Sequence, residues 1–542
     1  MGVFIDSIDE AVNESPVGRF FELKERGSKL SIEFRGALAT FMSMAYILAV
    51  NPRIISDSGG PCPVPESGNL FDPEYSSCIE GVKKELITST ALASMFGCFA
   101  MGLGANLPVA LAPGMGMNAY FTYSVVGFRG TGNISYESAC TAVLIEGFIF
   151  LFLAVTGIRY WIIKFIPEPV RFATPAAIGA FLAHLGLQTA EGIGLVVSDI
   201  ATAVTLGACP LSKRTPIVAL TPDCAANTNF CVTSDAYTCD DEGGVMTSAM
   251  TWLGLLGMVI MLILLAYRWR SAFIVGISFV TFISWFRDTA VTYFPNDDIG
   301  DARFEYFKQV VSIEPLDKVL APFTNELSDA GVALFTFLYV DFLDTSGTLL
   351  GIVSAMGYVN EEGDFSKSHF AYSADALATI FGSIFGLSPV TSYIESGSGV
   401  EAGSRTGLTA VFCGFFFFLS LFFAPIIASI PAWAIGGALI IVGSLMARSL
   451  AKVKWYDITD AATAFITVMV MPLTYSIAYG LIAGIGTYVV LQGTFHFLTL
   501  FGIEKPVFED PELSQQEKSV DQTNSTKKDE KSDEEDADDE NA

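Results

Sequence analysis

The chain has 542 residues, 51% of them hydrophobic and only 16% charged, with a formal net charge of −27. A soluble protein of this length divides into several domains and needs far more charge to cover its surface, so the composition excludes an ordinary soluble enzyme or adaptor. The negative charge is uneven: from about Glu504 the chain turns polar and acidic and ends in the run Asp533 to Glu540, a stretch too poor in apolar residues to fold.

Apolar windows near the length needed to cross a hydrocarbon core recur along the rest of the chain. In order they fall near 34–51, 86–105, 108–127, 138–157, 172–188, 248–267 and 271–287. A hydrophilic stretch follows, then windows near 329–354, 373–387, 389–402, 405–424, 429–447, 459–478 and 480–500. The reading is an all-α polytopic membrane protein of about fourteen transmembrane segments. The first thirty residues are rich in charge and lack the apolar stretch of a cleavable signal, so the first segment would direct insertion.

An even number of crossings puts both termini on one side, and positive charge says which. Arg159, Lys164 and Arg171, then Arg268 and Arg270, then Arg448, Lys452 and Lys454 all fall in connections on that side. Both termini are therefore expected to be cytoplasmic. The long loops at about 52–84, 189–247 and 288–328 then face outward. Cys62 and Cys78 share the first loop, and Cys209, Cys224, Cys231 and Cys239 share the second. Oxidising surroundings admit one disulfide in the first and two in the second, with the pairing open. Cys98, Cys140 and Cys413 lie in apolar segments, where cysteine packs as a small hydrophobe. Asn133-Ile134-Ser135 is a glycosylation sequon in an expected outer loop.

Two blocks of seven segments suggest an inverted repeat, because an odd number of spans flips the second copy. The third segment holds Pro108, Pro113, Gly114 and Gly116, and the tenth holds Pro389, Gly397 and Gly399. Both are poor continuous helices at matching places in the two halves. Backbone groups freed at such breaks can face a ligand near the membrane midplane.

Ionisable residues inside spans are costly and usually mark a pathway. Asp341 and Asp344 in the eighth segment share a helical face at i, i+3, and Glu395 lies in the broken tenth. A carboxylate accepts two parallel N–H bonds, the edge that a purine or pyrimidine presents. Asn118 in the third segment offers a donor and an acceptor to the same ring. Tyr120, Phe121, Tyr393 and Phe385 could stack on a flat heterocycle, although each is individually more at home as packing. Ser396 adjoins Glu395 and joins the candidate site. Glu401 and Arg405 have the spacing of an intrahelical pair, Glu33 and Arg35 open the first segment at the interface, and Glu146 faces a packed neighbour, while His184 reads as a hydrogen-bonded interior histidine in preference to a proton relay. There is no zinc-ligand spacing, phosphate loop or nucleophile elbow, and no basic stripe for nucleic acid. Uphill movement without an ATP site has to run on an ion gradient.

Four long stretches carry a resemblance: Phe34 to Pro52, Ala112 to Phe121, Asp341 to Thr348, and Glu395 to Gly407. In this order, within a region from about Gly18 to Phe501, they resemble the AzgA-like purine permeases of the nucleobase/ascorbate transporter superfamily. The resemblance implies a seven-plus-seven inverted repeat with a core of segments 1–4 and 8–11 and a gate of segments 5–7 and 12–14. It also implies homodimers joined through the gates. It implies proton-coupled uptake of adenine, guanine and hypoxanthine at the plasma membrane, with no cofactor. Substrate contact would fall on Asp341 and Glu395, supported by Asn118 and Asp344, and the proton on Asp344, Asp341 or Glu395. The expected organisation is a cytoplasmic segment 1–32, a first repeat 33–287, an outer connection 288–328, a second repeat 329–502 and a disordered acidic cytoplasmic tail 503–542. The rival expectations are an anion transporter on the same fold and a purine sensor that does not transport.

Overall fold

The computed structural model describes residues 2–65, 72–158, 166–188, 192–199, 203–209, 214–216, 237–239, 245–327, 330–359 and 365–503. The acidic tail beyond Ile503 lies outside them, as do Cys224, Cys231 and the basic residues Arg159 and Lys164.

The segments are helical because an apolar medium leaves backbone polar groups no partner but the chain itself. Among the described residues, eight stretches are long and apolar enough to cross: Leu30–Ser56, Pro73–Ala105, Tyr136–Thr156, Glu168–Leu187, Ala249–Ala266, Gly331–Ala355, Ala432–Lys452 and Ile477–Thr499. Four shorter helices, Ala272–Ser284, Ser368–Ile384, Leu408–Ser420 and Ile458–Thr474, fill expected places between them. The third and tenth segments complete the series and are not continuous helices.

Capping explains several of the ends. Asp72 caps the second segment by accepting from the Glu74 and Tyr75 N–H groups, and Pro73 follows at the first helical position. That helix therefore begins well before the apolar window and occupies part of the expected outer loop. Ser135 caps the fourth segment, which ends at Gly157 with φ 74°, a left-handed stop that glycine adopts without strain. The connection 288–328 is not all loop either. It carries a helix, Asp298–Phe307, which Arg303 ties to Glu80 of the second segment by an ion pair.

The helices pack in two groups. Segments 1–4 and 8–11 contact one another extensively, and so do segments 5–7 and 12–14. Within the second group the fifth and twelfth segments meet through glycines: a Cβ on Gly179 would stand 2.6 Å from the Gly443 carbonyl oxygen. Such close approach is how helices associate where no hydrophobic effect separates them from lipid. The sixth and fourteenth segments turn apolar side chains outward, Trp252, Leu256, Ile263, Ile482, Val489 and Val490 among them, as a lipid-facing helix must.

Among the described residues of the expected outer loop 189–247, Val196–Asp199 pairs with Ala203–Leu206 and Arg214–Pro216 with Tyr237–Cys239, both antiparallel. Cys62 and Cys78 form a disulfide, and Cys209 is also disulfide-bonded. Cys98, Cys140 and Cys413 are buried free thiols. Asn133 is exposed, just before the fourth segment. Glu33 departs from its expected interfacial place. It is fully buried and accepts from the Arg405 N–H at 3.0 Å and the Thr409 hydroxyl at 2.6 Å, fastening the first segment to the start of the eleventh. Arg405 donates to the Val400 and Ser404 carbonyls, and no ion pair joins it to Glu401 among the described residues.

Candidate functional site

Prolines and glycines stop the third and tenth segments from forming helices across their middles, and each break supplies what the other lacks. Leu111–Pro113 and Val390–Ser392 pair as short antiparallel strands, with Leu111 opposite Ser392 and Pro113 opposite Val390. The clamp extends beyond the strands. Tyr393 N–H donates to the Ala110 carbonyl at 3.0 Å, and Gly114 N–H donates to the Pro389 carbonyl at 3.0 Å. The Ala110 N–H donates to Ser396 Oγ at 3.0 Å, and the Tyr393 hydroxyl donates to the Pro113 carbonyl at 2.6 Å. The two halves of the chain are thus joined at one rigid crossing.

Five carboxyl groups from four segments gather beside this crossing: Glu146, Asp341, Asp344, Asp375 and Glu395. No ion pair with Lys or Arg reaches any of them among the described residues. They form two layers. Asp344 and Glu395 lie deep in the protein and within electrostatic reach of each other, yet both keep part of their accessible surface. A group that is deep and still keeps accessible surface adjoins open space. Glu395 Oε1 accepts from the Tyr46 hydroxyl at 2.8 Å.

The second layer is sealed. Glu146, Asp341 and Asp375 have no accessible surface. Ser392 Oγ donates to Asp375 Oδ1 at 2.9 Å, and Thr345 Oγ1 donates to Asp375 Oδ2 at 2.8 Å. Thr345 also meets Thr391 Oγ1 at 2.9 Å and stands 3.4 Å from Asp341 Oδ1. Its single proton goes to the nearer carboxylate. The Asp341 and Glu146 carboxyls face each other, and Asp341 Oδ2 and both Glu146 oxygens lack a donor among the described residues. Ionised carboxyls confined this closely cost several kcal/mol each, so protons or donor groups of a bound molecule must offset the charge.

The other expected site residues divide. Asn118 is fully buried, with Oδ1 taken by the Ser388 hydroxyl and Nδ2 without an acceptor among the described residues. Tyr120 is buried with its ring edge-on to Phe337. Phe121 has no exposure and packs against Tyr136 and Phe337. Tyr393 and Ser396 work in the clamp, and Phe385 packs on Phe381. His184 meets Gln188 at 3.1 Å in the second helix group. Asp375 and Tyr46 were not singled out by the sequence reading. Asp375 is an acid in the apolar run Ala374-Asp375-Ala376-Leu377, but the window beginning at 373 placed it at a segment end. The helix begins at Ser368, which puts Asp375 well inside the span.

The model of the family described as Permease family, Xan_ur_permease, matches residues 32–221 and 242–482. The "Putative xanthine/uracil permease C887.17" of Schizosaccharomyces pombe is 42% identical, over 90% of this chain and 77% of its own length. "Efflux pump notK'" of Aspergillus versicolor is 41% identical over 90% of this chain and 84% of its own. The adenine permease AdeQ of Escherichia coli is 33% identical over 90% and 93%. The transmembrane domain of the cyanobacterial bicarbonate transporter BicA superposes with a TM-score of 0.52 at 16% identity, over 84% of this chain and 97% of that one. That likeness is one of fold, a seven-plus-seven inverted repeat with core and gate helix groups. The sequence match, the paired broken segments and the buried carboxyls agree, and the chain belongs to the Permease family, the nucleobase/ascorbate group of membrane transporters rather than of enzymes.

Proposed function

We propose that this chain takes up purine nucleobases (adenine, guanine and hypoxanthine) across the plasma membrane in symport with protons, working as a homodimer with both termini cytoplasmic. The observation that carries the reading is the pair Asp344 and Glu395, deep yet still partly exposed beside the crossed broken segments and without a counter-cation among the described residues. Two carboxylates there suit the N–H-rich edge of a purine and disfavour an anion. Asn118, Tyr120, Phe121, Tyr393 and Ser396 support the floor of the site. Asp341 belongs to the sealed layer behind, which suits it to proton coupling and leaves direct substrate contact to Asp344 and Glu395. The group of segments 1–4 and 8–11 carries the site and would move past segments 5–7 and 12–14 in an elevator-like or rocking step. No cofactor is called for beyond the coupling ion. A relative named an efflux pump gives export a place as the second reading, on the same site with the opposite direction.

The test is uptake of labelled adenine, guanine and hypoxanthine into proteoliposomes with an inward proton gradient. Accumulation that collapses with a protonophore is the expected result, and Glu395→Ala should abolish it while the protein still reaches the membrane. Equilibration that ignores the gradient, or normal uptake by Glu395→Ala, would overturn the reading. Accumulation only under an outward proton gradient, with substrate entering as protons leave, would show antiport and select export.

A further inference from the structure

Tyr46 occupies the break in the first segment, between the helices Leu30–Met44 and Ile47–Ser56. It is almost wholly buried. Its hydroxyl donates to Glu395 Oε1 at 2.8 Å. Its ring lies against Phe273 of the seventh segment, with centroids 5.3 Å apart and planes 39° to each other. One turn earlier, Ser43 Oγ stands 3.1 Å from Ser398 Oγ in the tenth segment and 3.3 Å from the Arg270 carbonyl at the foot of the seventh. At both levels the first segment lies between the tenth segment, which holds the site, and the seventh, which belongs to the other helix group.

Glutamate has several free torsions, and a flexible acceptor loses entropy each time it must meet a planar ligand edge. A fixed phenol donor removes that freedom beforehand. It occupies one lone-pair direction on Oε1 and leaves the remaining acceptor positions of the carboxylate for a ligand. We propose that Tyr46 is a positioning residue: its hydroxyl holds the Glu395 carboxylate in the orientation that receives substrate. Its ring, seated on Phe273, ties that orientation to the placement of the second helix group. When the two groups shift relative to each other, the seat changes, and with it the hold on Glu395. The inference rests on the purine reading of the same site and adds to it the residue that sets the acceptor's geometry.

Tyr46→Phe removes the hydroxyl and keeps the ring. The expected result is a KM for adenine raised by about tenfold, the cost of ordering a freed glutamate side chain when substrate binds, with Vmax per surface transporter nearly unchanged. A purely packing role would lower the amount of protein or Vmax and leave KM alone. Phe273→Leu should raise KM in the same direction, and the double variant should add little to Tyr46→Phe, because both act through one carboxylate. A readout without transport separates this inference from the function it rests on. In infrared difference spectra of the purified, substrate-free full-length protein, the carboxylate band that Glu395→Gln deletes should move in Tyr46→Phe. If wild-type protein takes up no purine, the functional reading falls and the infrared band still decides the role of Tyr46. An unmoved band, an unchanged KM in a transporting protein, or fully additive effects of the two variants would overturn the proposal.

Discussion

Thr345 supplies a direct test of the sealed acid layer. Its hydroxyl donates to Asp375 Oδ2 at 2.8 Å, meets Thr391 at 2.9 Å and has no accessible surface. Thr345→Val keeps the shape and deletes that hydroxyl. One hydrogen bond to a carboxylate is worth roughly 1.5–3 kcal/mol and one between neutral groups about 1 kcal/mol, so the variant should lose about 3 kcal/mol. Thr345→Ser keeps the hydroxyl, loses one methyl group and should cost about 1 kcal/mol. Membrane proteins in detergent unfold irreversibly, so the appropriate measure is the half-life of the folded form at a fixed elevated temperature. A difference of about 2 kcal/mol expressed in the unfolding barrier separates the two variants by roughly 30-fold in half-life, with Thr345→Ser the longer-lived. The assay is size-exclusion of the heated, fluorescently tagged protein. Equal half-lives, or a longer one for Thr345→Val, would show that the hydroxyl does not hold Asp375 and that the layer is organised in another way.

Three further outcomes follow from the geometry. Replacing both Cys62 and Cys78 by serine opens a loop spanning 16 residues; the chain-entropy relation puts the loss at about 3 kcal/mol, and the double variant should denature earlier than wild type and respond less to reducing agents, keeping only the response of the disulfide at Cys209. A Cβ on Gly399 would stand 2.4 Å from Thr40 Oγ1 and 3.0 Å from the Gly36 carbonyl oxygen, so Gly399→Val should separate the first and tenth segments and abolish stable folding, while Gly347→Ala, with open space at its Cβ, should express normally. In a background without other reactive thiols, cysteines at 344 and 395 should react with small water-soluble methanethiosulfonate reagents and a cysteine at 341 should not; equal labelling at all three would dissolve the distinction between the two layers.

The helical segments were legible because lipid imposes a length and an apolar composition on each of them. The two broken segments were legible through Pro113, Gly114, Pro389 and Gly397, since those residues interrupt a helix whatever surrounds them. Their pairing was not: Tyr393 and Pro113 are 280 positions apart, and no local pattern says that two interruptions will meet as strands. The site was legible as a set of acids, but not as two layers. Asp341 and Asp344 share a helical face at i, i+3, yet that spacing leaves about 60° between their directions. That is enough to turn Asp344 toward Glu395 and Asp341 toward Glu146 and Asp375. Glu33 misled for a similar reason. A charge at the start of an apolar window reads as interfacial, and only the fold brings the Arg405 N–H and the Thr409 hydroxyl to it.

The two layers meet along one short piece of backbone. Ser392 holds Asp375 and Thr391 meets Thr345, while Glu395, three residues further on, stands in the partly exposed layer. The strand between them is fixed to residues 110–114 by bonds that run in both directions across the crossing. A helix would have satisfied its own backbone and could have slid or rotated past its neighbour. A strand pair of this kind cannot shift without losing its partners, and an unpaired backbone group in this setting costs several kcal/mol. The spacing between Glu395 and Ser392, the hydroxyl that meets Asp375, is therefore set by covalent geometry and a clamped register rather than by side-chain packing. A displacement of Glu395 large enough to move its backbone must also disturb the hydroxyls around Asp375. That gives a physical reason for irregular backbone at the centre of an otherwise helical membrane protein. It joins the carboxylates open to a ligand and those sealed behind them into one mechanical unit, which straight helices packed side by side would leave only loosely connected.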